Sequence, residues 1–180
     1  MKTEEAQLVE DCLKNDQNAF KRLYDRYASS MYGVCLRYSR TTAAAEDVLH
    51  DGFIKVFECL SQLRDVSSLS SWIRSIMIHT AINNYRKEMP VAESDFEGAY
   101  IDDPFPSTGD MADDIDMDFL LNVIQQLPPA YRMTFNLCEV ECYSVEEAAE
   151  ALGITISTVR SNLYRAKAIL SEKLSPYLKK

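Results

Sequence analysis

Residues 143–174, YSVEEAAEALGITISTVRSNLYRAKAILSEKL, read as two helices joined by a tight turn. Ser144 with Glu147 three residues later is the signature of a capping box, in which the serine oxygen accepts from an early backbone N–H and the glutamate answers at the cap. A short helix is therefore predicted from Val145. Gly153 supplies the left-handed conformation that ends it after Leu152, and Ser157 is the expected cap of a second helix carrying Val159, Leu163, Ala166, Leu170 and Leu174 inward. Ala148 and Ala149 are small enough to let the two helices approach closely. With the apolar residues facing in, Ser157, Thr158, Arg160, Ser161, Tyr164, Arg165 and Lys167 fall on the other side. Such a face suits a DNA major groove: arginine pairs with guanine O6 and N7, hydroxyls and cations bind phosphate, and a helix N-terminus favours phosphate as well. A helical hairpin with a merely solvated charged face is the plainer alternative, but it does not call for capping box, glycine turn and basic face together.

Upstream of this unit, Phe119, Leu120, Val123, Ile124 and Leu127 mark one helix. Pro128-Pro129 ends it and prepares a further helix over Tyr131 to Glu141. Nearer the N-terminus, Phe20, Leu23, Tyr24, Tyr27, Met31, Val34 and Tyr38 recur at helical steps, after a shorter helix broken by Asn15-Asp16-Gln17-Asn18. Thr41-Thr42 caps a helix with Val48, Leu49, Gly52, Phe53, Val56, Phe57 and Leu60 on a wide apolar face. A polar loop from Arg64 to Ser68 then leads into a helix through Leu69, Trp72, Ile73, Ile76 and Thr80 to Arg86 and Lys87. No segment alternates at period two for long enough to predict a strand. The expected fold is all-α, with two small helical domains joined by a flexible acidic linker.

Charge locates the linker. Net charge is -9, yet residues 1–87 hold 12 Lys/Arg and 11 Asp/Glu, and residues 119–180 hold 7 and 6. Residues 88–118 hold 11 carboxylates, no cation, three prolines and two glycines. Like-charge repulsion favours an extended tether there. The expected domains are 1–87, the linker 88–118, and the helix-turn-helix domain 119–180. Phosphate attraction decays over roughly 8 Å at physiological salt, so a distant acidic tether does not cancel a basic patch on an end domain.

Other function classes lose ground on composition. The first residues, MKTEEAQLVEDCLKNDQ, are charged and lack a secretory signal, and no apolar run reaches the roughly eighteen residues of a spanning helix, so a cytoplasmic protein without membrane insertion is expected. Five scattered cysteines, an odd number, are expected as buried free thiols; Cys138 and Cys142 share a ligand-like spacing, but no histidine cluster completes a zinc set. No glycine-rich phosphate loop, paired metal motif or Ser/Cys-His arrangement supports an enzyme, and neither a cofactor nor a metal is expected. An ordinary helix-turn-helix regulator, dimeric on symmetric half-sites, remains an alternative.

EEAAEALGITISTVRSNLYRAKAIL (146–170) resembles the C-terminal promoter-reading domain of the extracytoplasmic-function sigma factors, and LPPAYRMTFNLCEVECYS (127–144) resembles its preceding helices. Response regulators end in a similar unit, so the N-terminal block decides. AFKRLYDRYASSMYGVCLRYS (19–39), AAAEDVLHDGFIKVFECL (43–60) and LSSWIRSIMIHTAINNYRK (69–87) resemble, in order and spacing, the successive segments of the conserved sigma domain.

The resemblance implies an alternative sigma factor that binds core RNA polymerase, recognises promoter DNA and promotes its melting. It implies that the helix from Ala45 to Leu60 docks on a coiled coil of the largest polymerase subunit. Glu46, Asp47 and Asp51 beside Leu49, Phe53 and Val56 suit a basic partner helix with an apolar centre, and His50-Asp51 stands where the family usually has Gln-Glu. Glu46 and Asp47 equally suit a helix N-terminus. The resemblance also implies that the loop from Leu63 to Ser71, with Ser67 and Ser68, and the following helix bind the minus-ten element and hold unpaired bases. Trp72 reads either as part of that surface or as core. His79 stands where the family commonly has Asn, and Asn83, Arg86 and Lys87 are placed as polar and phosphate contacts. The second domain is implied to read the minus-thirty-five element and to meet the polymerase flap, and an anti-sigma protein is an implied partner.

Overall fold

The structure, a computed structural model, describes residues 3–88 and 116–177. The described residues are helical, with no strand among them. Most of the acidic linker lies outside the described residues. The chain divides into two compact units, Met1–Asn84 and Tyr85–Lys180.

In the first unit, Glu4–Leu13 (α1) is capped by Thr3, whose hydroxyl accepts from Ala6 N–H at 3.2 Å. The predicted break follows: Asn15 takes a left-handed φ of 61°, and Asp16 caps Gln17–Tyr38 (α2) by accepting from Asn18 N–H at 2.8 Å. The Tyr27 hydroxyl donates to Glu5 at 2.8 Å and holds α1 against α2. Thr41 caps Thr42–Cys59 (α3), which is followed by a polar connection and Leu69–Glu88 (α4).

The core is the inner side of each helix. Leu23, Met31, Val34, Cys35 and Tyr38 of α2 are buried with Ala45, Val48, Leu49, Phe53 and Val56 of α3 and with Leu69, Ile73, Met77 and Ile78 of α4. Phe20 meets Phe57 edge to face at 4.9 Å and Tyr24 meets Phe53 at 4.7 Å, arrangements that add to area burial. Gly52 permits the close approach of α3 to α4, since a Cβ there would fall within 2.2 Å of the Met77 sulfur. Lys55 of α3 donates to Thr80 of α4 at 3.1 Å.

In the second unit, Met117–Gln125 (α5) leads through Pro128 into Pro129–Phe135 (α6), where proline holds the first helical position as predicted. The helix expected over Tyr131 to Glu141 differs at its end. After Phe135 it widens into a π turn over Asn136–Val140, closed by a 2.9 Å bond from Glu141 N–H to Asn136 O. Arg132, buried, caps the α5–α6 junction by donating to the Gln125 and Leu127 carbonyls at 2.8 and 3.2 Å.

Val145–Leu152 (α7) carries the predicted capping box. Ser144 accepts from Glu147 N–H at 3.1 Å, and Glu147 accepts from Ser144 N–H at 2.8 Å, a bond that lowers the glutamate pKa. Gly153 ends α7 with a φ of 69°. The next helix, Ile156–Leu174 (α8), is capped by Thr155 and not by Ser157: Thr155 is extended and its hydroxyl accepts from Thr158 N–H at 3.1 Å. Either residue has the chemistry of a cap, and the glycine turn delivers the earlier one in the required conformation. Val159, Ala166, Leu170 and Leu174 are buried as expected, while Leu163 is half-buried and Asn162 is buried beside it. Val123, Ile124 and Leu127 pack on Ala166, Leu170 and Leu174 to form the core of this unit.

The cysteines divide. Cys12 and Cys35 are buried free thiols, Cys59 and Cys138 are half-buried, and Cys142 is exposed. Cys142 falls past the π turn with a left-handed φ of 57°, which carries it off the helical face expected to pair it with Cys138.

Two outcomes are expected. Gly153→Ala should lower the stability of the second unit by about 1–2 kcal/mol, because a Cβ is strained at positive φ; Ser144→Ala should cost about 1 kcal/mol through the lost cap. Thermal unfolding of the two variants checks both. The first unit should weaken in alkali. Burial, then the bond to Glu5, pushes the Tyr27 hydroxyl from 10.0 up to about 12, and burial pushes Cys35 from 9.0 to about 12. The folded state thus favours the protonated forms, and their contribution is complete below the ordinary values and lost as pH rises through the folded ones. Urea midpoints should be flat near neutrality and fall above about pH 9. Tyr27→Phe should start lower and fall less steeply.

Candidate nucleic-acid interface

The outward side of α8 is sparser than its sequence suggests. Thr155 and Thr158 share a hydroxyl–hydroxyl bond of 2.8 Å in addition to the cap bond, so Thr158 is engaged at the helix start. Ser157 and Arg160 are exposed, and Ser161 and Tyr164 are half-buried on the same side. Two of the expected cations turn elsewhere. Arg165 donates to the Tyr131 hydroxyl on α6 at 3.0 Å. Lys167, with its side chain only 13% exposed, lies 3.2 Å from Glu139 in the π turn. Both contacts tie α8 to α6 and to the π turn that continues it. Arg160 is the exposed cation of the first two turns, and Ile156, 40% exposed in the first turn, is a surface residue that the inward pattern alone did not reveal.

The polar connection before α4 is a built turn. Asp65 accepts from Ser67 N–H at 2.9 Å and from the Ser67 hydroxyl at 2.5 Å, and its carboxyl is held below the ordinary range by these bonds, the hydroxyl first. Ser68 donates to Asp65 O at 2.7 Å, and Ser71 to Ser68 O at 2.8 Å. Ser67 and Ser68 therefore shape the turn with their hydroxyl protons.

On α4, Trp72 is half-buried. Ser75, His79 and Asn83 follow it at helical spacing, His79 and Asn83 exposed, with Ser75 Oγ 3.3 Å from His79 Nδ1. Arg86 and Lys87 are exposed on the last turn of the same helix.

The candidate partner face of α3 divides by burial. Glu46, Asp47, His50 and Asp51 are exposed, but Leu49, Phe53 and Val56 are buried in the unit's own core. Residues 45, 48, 49, 52, 53 and 56 form one stripe at a 3.6-residue period, and Glu46, Asp47, His50, Asp51, Ile54 and Glu58 form the opposite one. Ile54, 55% exposed, is the apolar centre of the outward stripe. Continuing the exposed positions by four residues from His50 would have found it.

No group of three or more His, Cys, Asp or Glu among the described residues is placed to hold a metal ion, and no helix among them is long and apolar enough to cross a membrane.

Comparison with known proteins gives a consistent result. The sequence pattern described as "Sigma-70 region 2" matches residues 23–90, and that described as "Sigma-70, region 4" matches residues 120–170. The RNA polymerase sigma-H factor of Pseudomonas aeruginosa is 32% identical over 187 residues, spanning 98% of this chain and 96% of that protein. The ECF RNA polymerase sigma-E factor of Escherichia coli is 28% identical over 183 residues, spanning 96% and 95%. Among solved structures, the sigma factor RpoE in complex with the anti-sigma factor NepR from Bartonella quintana shares the fold, with a TM-score of 0.51 and 21% identity over 87% of this chain and 96% of that one.

The internal bonds of α8 separate two kinds of cation. Lys167→Met is expected to lower the unfolding midpoint of the second unit while changing DNA affinity little. Arg160→Ala should leave the midpoint unchanged and cost roughly 1 to 3 kcal/mol of binding if the residue reads a base. Thermal melts and DNA titrations of both variants check this.

Proposed function

The chain belongs to the extracytoplasmic-function sigma factors of bacterial RNA polymerase, and on that premise we propose how its residues divide the work. It is an alternative sigma factor that initiates transcription from promoter DNA. In the proposed division, residues 1–87 bind core polymerase and the minus-ten element, 88–118 form the tether, and 119–180 bind the minus-thirty-five element.

The outward stripe of α3 is the proposed contact with the coiled coil of the largest polymerase subunit. Glu46, Asp47 and Asp51 complement a basic partner, Ile54 supplies the apolar contact at its centre, and His50 sits between them. Leu49, Phe53 and Val56 act from beneath by holding the helix in place. The second unit is proposed to meet the polymerase flap.

Opening DNA without ATP requires that unpaired bases find replacement contacts, since unstacking costs a few kcal/mol per base. The α4 surface offers them. The half-exposed face of Trp72 supplies a stacking platform, worth roughly 1–3 kcal/mol per base. Ser67, Ser68, His79 and Asn83 supply hydrogen-bonding groups, and Arg86 and Lys87 supply phosphate contacts. On α8, Ser157, Arg160, Ser161 and Tyr164 face the upstream element, with Arg165 and Lys167 behind them as supports. On family grounds an anti-sigma protein is a further proposed partner, and the cytoplasm is the proposed compartment because polymerase works there.

The single observation that carries this division is that one unit exposes an acidic stripe centred on Ile54 and the other a capped helix exposing Arg160. Run-off transcription from a randomised promoter pool, with sigma-free polymerase and the full chain, tests it. The wild-type protein is expected to confer start-site selection. Asp47→Lys with Asp51→Lys should abolish it by loss of polymerase binding, and Arg160→Ala should bind polymerase normally and lose upstream selection. Polymerase-independent binding to symmetric operators, with no start-site selection, would favour an ordinary repressor.

A further inference from the structure

One large apolar residue at the start of α8 remains on the surface. Ile156 is the first residue of the helix and stays 40% exposed, directly after the Thr155 cap. Beside it the Thr155 and Thr158 hydroxyls bind each other. Residues four apart lie side by side on a helix, so Ile156 flanks Arg160 on the exposed face. Groove-reading helices touch base edges with their N-terminal residues, which is where Ile156 stands. An aliphatic side chain makes no hydrogen bonds, and the apolar group on a major-groove base edge is the C5-methyl of thymine.

We infer that Ile156 is a specificity-determining residue that packs on the C5-methyl of a thymine next to the base pair met by Arg160. The inference rests on the proposed role of α8 as reader of the upstream element. It also discriminates against cytosine, which has only a hydrogen at C5 and so offers that side chain no methyl.

Replacing thymine by deoxyuridine deletes that methyl and leaves every hydrogen-bonding group intact. The experiment uses the full chain with core polymerase and an upstream element selected from a random pool, each thymine being replaced singly by deoxyuridine. One position is expected to lose about fourfold in binding, the worth of one methyl-sized group removed from water. That position should become insensitive in Ile156→Ala and stay sensitive in Ile156→Val. A selected element without a methyl-sensitive thymine, or a sensitivity that persists in Ile156→Ala, overturns the inference. Arg160→Ala distinguishes the two levels. If it destroys upstream selection while no thymine is methyl-sensitive, α8 keeps its role and Ile156 loses its own; if it leaves selection intact, the role of α8 falls and the inference with it.

Discussion

Each amphipathic helix has one face to give to its own core, and in both units that constraint decides which residues remain for partners. On α3 the core takes Ala45, Val48, Leu49, Phe53 and Val56, and on α8 it takes Val159, Ala166, Leu170 and Leu174. Glu46, Asp47, His50, Asp51 and Ile54 are left outward on the first helix, and Ser157 and Arg160 on the second. Moving the apolar stripe by one position would bury charges and expose aliphatics, at a cost far above the marginal stability of small domains. The surfaces are therefore as fixed as the cores.

Electrostatics follows the same division. The net charge of -9 is set by residues 88–118, and the first two turns of α8 expose Arg160 while Arg165 is bonded to Tyr131 and Lys167 lies against Glu139. So few exposed cations neutralise few phosphates, and affinity for DNA rises with the number neutralised. Such a helix gains most from being held at its target. A polymerase gripping the other unit raises the effective concentration of α8 at the promoter without any new contact. In the proposed division the enzyme thus supplies proximity and the helix supplies choice.

Local chemistry was legible in the sequence, and contacts between distant segments were not. The capping box at Ser144 and Glu147, the left-handed turn at Gly153, the Thr41 cap and the proline start of α6 each depend on residues within a few positions, and all are present. Arg165 reads as a free surface cation until Tyr131, 34 residues away, is found beside it, and Lys167 likewise lies against Glu139. The cap at Thr155 was hidden because Ser157 has the same chemistry, and only backbone conformation chooses between them. Leu49, Phe53 and Val56 were legible as apolar but not as inward; their burial depends on α2 and α4, and the same packing makes Ile54 the apolar surface residue. Gly52 shows the limit most clearly, since the side chain it makes room for belongs to Met77 on another helix.

Amide hydrogen exchange on the full chain in three states, free, with core polymerase, and with polymerase and promoter DNA, tests this account most directly. Polymerase alone should slow exchange along the outward stripe of α3, and only the addition of promoter should slow it in the first turns of α8 and along the Trp72–Asn83 stretch of α4. Protection of α3 that appears only with DNA, or an α8 that DNA leaves unchanged, would contradict it.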